Sequence, residues 1–150
     1  MGLKQLKYGL IRGLDSVASV VAMAASQALA AASGRFVFMN DGAATLCDDD
    51  STTICGFIED YARTPDTGEK VKMLNGLDQV FRVPIINGTF VVGMIGDQCD
   101  LDISSSIQGV DLEASSHDLV IIVDGDTVDS EWVDVRMNPR EMGTGLGTDA

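Results

Sequence analysis

The chain has 150 residues, enough for one domain with its own core. Lys and Arg number 10 against 23 Asp and Glu, a formal charge of −13, which argues against a general nucleic-acid binder because phosphate binding rests on cations. With 45% hydrophobic residues it is no disordered acidic tail, and three cysteines cannot close a disulfide framework among themselves.

The charge is uneven along the chain. Residues 1–35 hold Lys4, Lys7, Arg12 and Arg35 against Asp15, a net of +3, and the remainder carries −16. A basic arm, residues 1–34, therefore precedes an acidic body. Its apolar stretch Gly13–Ser33 admits three readings. A charged start, apolar middle and small-residue end have the layout of a secretory signal peptide, although Asp15 sits at the edge of the run. A membrane span is disfavoured by an Ala- and Ser-rich run containing Gln27. The third reading is an Ala-rich helix with Leu14, Val17, Val21, Ala24 and Ala28 on one face, stopped at Gly34.

From Arg35 the apolar period becomes two. Arg35–Met39 ends at the turn Asn40-Asp41-Gly42, and Ala44–Cys47 leads into Asp48-Asp49-Asp50. Thr52–Tyr61 is rich in β-branched and aromatic residues, and Thr64–Gly68 is a turn. Val71–Leu74 and Gln79–Ile86 are strands, the second with Phe81, Val83 and Ile85 on one face. Asn87-Gly88 is the strongest hairpin signal and leads into an expected strand over Thr89–Ile95. Cys99, Leu101 and Ile103 alternate with Asp100 and Asp102, and Val110 and Leu112 with Asp111 and Glu113. Leu119–Val123 is uniformly apolar and central, and Val133, Val135 and Met137 share a face of the last strand before Pro139. Turns every 8–12 residues or so predict a mainly β fold over 35–139, a small β-barrel or sandwich with an N-terminal Ala-rich arm or helix and a flexible tail over 140–150. Phe81, Val83, Val92, Leu101, Leu119, Ile121, Val133 and Val135 are the expected core, and no solenoid-type repeat is visible.

No catalytic, cofactor or metal set is expected. The single histidine, His117, lies beside Ser115 and Ser116 at a strand entrance, where adjacent side chains point to opposite faces. Cys47, Cys55 and Cys99 lack zinc-ligand spacing and read as small hydrophobes, with Cys47 and Cys55 able to flank the acidic loop as a pair. Asp48–Asp50 and the run Asp124, Asp126, Asp129, Glu131 offer oxygens for calcium, but neither has an EF-hand pattern and both read as solvated turns. The glycines at 143, 145 and 147 have no phosphate-loop context.

Gly34-Arg35-Phe36-Val37, Thr53–Phe57, Ile95–Leu101, Gln108–Leu112 and Val133–Pro139 together resemble segments of the head decoration, or capsid cement, proteins of tailed bacteriophages. The resemblance spans most of residues 34–139. It implies a virion protein made in the host cytoplasm and bound to the outer capsid surface as a homo-oligomer, commonly a trimer. It would clamp neighbouring major capsid subunits, with no enzymatic activity, cofactor, direct nucleic-acid contact or membrane association. The long arm departs from the pattern, and we expect it to carry the attachment: Lys4, Lys7 and Arg12 as charges, and Leu10, Ile11, Leu14, Val17 and Val21 as buried anchors. Two other functions stay open on the sequence. One is a secreted or periplasmic domain with residues 1–33 as signal peptide. The other is a small trimeric all-β enzyme with a cleft shared at subunit joints and lined by acids such as Asp97, Asp100 and Asp102.

Overall fold

A computed structural model describes residues 8–142. It is mainly β, with strands β1 (Gly9–Arg12), β2 (Ala18–Ala22), β3 (Phe36–Asn40), β4 (Ala43–Leu46), β5 (Gly56–Glu59), β6 (Lys70–Leu74), β7 (Val80–Asn87), β8 (Gln98–Ser104), β9 (Ile107–Asp111), β10 (Val120–Gly125) and β11 (Trp132–Met137). Lys4, Lys7 and the glycine-rich tail from 143 lie outside the described residues.

The strands make two five-membered rings of the same topology. In the second ring the order is β7-β11-β10-β8-β9, and β9 returns to β7 as a parallel pair, Ile85 opposite Val110. In the first ring the order is β2-β6-β5-β3-β4, and β4 returns to the end of β2 through a parallel bridge between Met23 and Ala44. In each ring the first strand pairs with the fifth, the fifth with the fourth, the fourth with the second, and the second with the third in a hairpin. The two hairpins share one register: Val37 faces Leu46 in the first, and Leu101 faces Val110, each 64 residues on, in the second. The turn residues match as well. Asp41 and Gly42 have φ of 53° and 81°, and Ser105 and Ser106 have 51° and 67°. Two positive φ values in a two-residue loop match the twist of the flanking strands. The internal duplication is thus one of pairing and register, and residue identity hides it.

The rings are fused by a shared core. Phe36 and Phe57 from the first ring meet Phe81 from the second, with centroids 4.9 Å apart for Phe36–Phe57 and 4.4 Å for the stacked Phe57–Phe81 pair. That core continues into the second ring through Leu101, Leu119, Ile122, Val133 and Val135. The first ring holds a separate cluster that includes Met23, Val37, Cys55, Ile58 and Met73. Gln108 bridges the rings: its amide accepts from Phe36 N at 2.8 Å and donates to Phe36 O at 2.8 Å and Cys47 O at 2.9 Å.

Three expectations are corrected. The Ala-rich segment is not helical in the described residues: Ala18–Ala22 is a strand paired along its length with β6. The ladder offered by β6 outweighs a helix propensity that is marginal in isolation. Asn87-Gly88 is not a hairpin, and Thr89–Ile95 is a loop with one 3₁₀ turn at Val92–Met94. Both flanks of β7 are already occupied there, by β9 at Asn87 and by β11 at Pro84. Val92 is accordingly 67% exposed, and in β10 it is Ile122 that is buried while Ile121 is half-buried.

Candidate partner interface

The eight residues that the sequence put forward for partner binding divide. Lys4 and Lys7 are outside the described residues. Leu10, opposite Phe81 in the β1–β7 ladder, is half-buried against the shared core, and Val21 is half-buried against the first-ring cluster. Both are committed within the chain. Ile11, Arg12, Leu14 and Val17 face solvent, Leu14 at 71% exposure. The structure adds Leu77, on the β6–β7 connection, to that surface, while Val20, 67% exposed, lies further along β2 opposite Lys72. Leu77 lies 60 residues from Val17 in sequence, so no local pattern could have joined them.

This apolar corner is held rigidly. The Gln79 side chain, almost wholly buried, donates to Leu14 O at 2.7 Å and to Val17 O at 3.2 Å, and accepts from Gly76 N at 2.8 Å. It pins the β1–β2 connection onto the β6–β7 connection. The two connections pack closely there: a Cβ on Gly76 would stand 3.0 Å from Val17 Cγ1. A second group of exposed aliphatics, Val91, Val92 and Ile95, sits on the loop after β7. That loop is anchored by buried Phe90, whose N–H donates to Ser130 Oγ, and by Gly96 N donating to Ile122 O.

Among the described residues three cations form ion pairs inside the chain. Arg63 bonds Asp60 and Glu69, both at 2.6 Å, and Lys72 meets Glu59 at 2.9 Å. Arg82 pairs with the nearly buried Asp134 at 2.8 Å and stacks on Trp132, 3.7 Å from its centroid. Between β1 and the first ring runs a cleft of about 450 Å³, with Leu10, Phe57 and Leu74 on its walls and Arg35, Glu59 and Asp60 among its charged residues.

The residues considered for chemistry have structural partners. Asp100 is buried and accepts from the backbone N–H groups of Ser116, His117 and Asp118, so it ties the loop before β10. Asp126 accepts from Val128, Asp129 and Glu131 N–H, which hold its carboxyl below the usual range. Asp48, Asp49 and Asp50 form an exposed carboxylate group, closed as a turn by Ser51 and Asp48; the Asp50 charge, with that of Asp102, raises the Asp49 carboxyl. All three cysteines are buried and free, and Cys47 and Cys55 fall in different clusters. Burial pushes the Cys55 thiol up to about 11 and the Cys99 thiol up to about 12, and Cys47 also stands well above its ordinary value. These thiols are protonated at neutral pH and are poor nucleophiles and metal ligands. Among the described residues no helix is long and apolar enough to cross a membrane.

No family model, curated protein or solved structure matches this chain.

Proposed function

We propose that the chain is a head decoration protein of a tailed bacteriophage: a non-catalytic homo-oligomer that binds the outer capsid surface and clamps neighbouring major capsid subunits. The observation that carries this reading is the rigid apolar corner of Leu14, Val17 and Leu77 on a strongly acidic chain. Aliphatic side chains held exposed by buried hydrogen bonds mark a surface built to be covered. Four of the residues expected to bind a partner, Ile11, Arg12, Leu14 and Val17, lie exposed on or beside this corner. A clip of this kind stabilises the assembled shell by binding it in preference to free subunits, and many copies add avidity.

The test is co-sedimentation of the full chain with assembled heads of the phage whose genome encodes it, prepared without the chain. The chain should pellet with heads and raise their resistance to heat. Leu14→Asp and Val17→Asp should keep the fold and lose pelleting. Absence of binding by the full chain, or binding that both substitutions leave intact, overturns the reading. Point substitutions are preferred to truncation at Gly34, since that cut removes β2 from the first ring.

A further inference from the structure

The loop after β7 is a preformed apolar knob. From Val83 to Gly96 the chain carries no charged residue. Val91, Val92 and Ile95 are exposed on that loop, and an added Cβ at Gly93 or Gly96 would meet nothing within 4 Å. The tip is nonetheless braced by its own hydrogen bonds: Met94 N donates to Val91 O, Ile95 N to Val92 O and Asp97 N to Met94 O. At its feet, buried Phe90 lies on Gly125, where a Cβ would stand 2.7 Å from the ring, and Gly96 N donates to Ile122 O. A braced aliphatic tip has little freedom left to lose when a partner covers it.

The same chain carries an apolar cleft. The cleft of about 450 Å³ between β1 and the first ring has Leu10, Phe57 and Leu74 on its walls. Two of its acids already have cations, Glu59 in Lys72 and Asp60 in Arg63. Arg35, half-buried in the lining, donates to Ala30 O and Asp60 O and forms no ion pair among the described residues. A guanidinium has more N–H groups than these bonds use, so donors remain for the backbone carbonyls of an entering segment. The knob does not reach the cleft of its own chain. The cleft lies at the start of β7, where Leu10 faces Phe81, and the knob begins beyond the end of that strand at Asn87. The strand from Phe81 to Asn87 spans roughly 20 Å, and the bond to Ile122 turns the knob toward β10.

We propose that the knob of one copy inserts into the cleft of another, so that Val92 and Ile95 are covered by Leu10, Phe57 and Leu74 of the partner subunit. Charge selects a second copy as the occupant. Between chains of formal charge −13, repulsion is least where one presents a charge-free segment and the other a wall whose Glu59 and Asp60 are already paired. Knob and cleft are different surfaces, so each contact leaves a knob and a cleft unfilled until the copies close on themselves. The inference deepens the self-association in the reading above and leaves Leu14, Val17 and Leu77 free for the capsid. Its test needs no heads, so it fails or stands apart from capsid binding.

The full chain is examined by light scattering after gel filtration across a range of concentrations. A particle of several copies of the 15.9 kDa chain is expected. Val92→Asp charges the exposed tip, and Ala32→Glu places bulk and charge on an exposed residue of the cleft lining. Each should keep the circular dichroism spectrum and lower the particle mass to that of a monomer, and either serves if the other misfolds. Mixing the two variants should restore association, because the knob of the Ala32→Glu copy meets the intact cleft of the Val92→Asp copy. A full chain that is monomeric throughout, a mass that neither substitution lowers, or a mixture that stays dissociated overturns the proposal. A monomeric chain that loses binding to heads on Val92→Asp assigns the knob to the capsid and overturns it as well.

Discussion

The two rings share every pairing and differ in how they shut. In the second ring β9 lies close under β7, and a Cβ on Gly109 would stand 2.4 Å from Pro84 O, so only glycine admits that approach. The same position in the first hairpin holds Thr45, where β4 reaches the chain through a single bridge. One step earlier, the first ring has Ala44 at that bridge, whereas the second has Gln108, whose amide leaves its own ring and bonds the other. One topology thus accepts a sealed ring and a loosely closed one, and the difference rests on a few contact positions rather than on strand order.

The largest expected effect breaks the joint between the rings. Gln108→Ala leaves Phe36 N and Cys47 O without that partner, while Phe36 O keeps the Cys47 N–H. At about 1–3 kcal/mol for each orphaned buried group, the loss should be about 3–5 kcal/mol in denaturant unfolding. A loss below about 1 kcal/mol would mean that water or a shifted side chain replaces the amide.

Next is the closure of each ring. Gly109→Ala should cost about 2–3 kcal/mol, because the obstructing atom is backbone and cannot rotate away. Thr45→Gly, at the matching place in the first ring, should cost about 1 kcal/mol or less. Equal losses at the two positions would contradict the contrast in closure.

A smaller effect comes from the thiols. Cys55 lies in the first ring and Cys99 in the second, both above their ordinary value of 9.0 through burial. Unfolded thiols ionise first as pH rises, so stability is fully present below about 9 and drains away as pH climbs through about 11 and about 12. At neutral pH, thiol labelling should reach Cys55 before Cys99 if the loosely closed ring opens on its own. Simultaneous labelling would show that the rings open as one.

The smallest effects concern the loops before the last strand of each ring. In the first ring, Arg63 hydrogen-bonds Glu69 and Asp60, and that contact, helped by Asp66 N–H, lowers the Glu69 carboxyl. In the second, Asp126 is lowered mainly by the backbone N–H groups of Glu131 and Asp129. Both carboxylates support their loops above the unfolded carboxylate range, and that support is lost as pH falls through the folded values. Added salt should speed amide exchange across 60–69 and leave 126–131 nearly unchanged, since an ion pair is screened and a carboxylate bonded to amides is screened less.

Much of the fold was legible in the residues themselves. Alternation marked the inward faces of β7, β8 and β11, and Asp41-Gly42 marked a hairpin, because period-two burial and left-handed turn residues are local properties. The second hairpin was not legible, since Ser105 and Ser106 do not advertise positive φ. The exposed apolar corner was half legible: Leu14 and Val17 stand out as aliphatics, but Leu77 joins them only where the β1–β2 connection meets the one after β6. Tertiary structure alone decided that an Ala-rich segment is a strand, that Leu10 and Val21 turn inward, and that the chain repeats itself. Each of these depends on which distant strand lies alongside, and backbone pairing across some 50 residues leaves no periodic trace in the sequence of either partner.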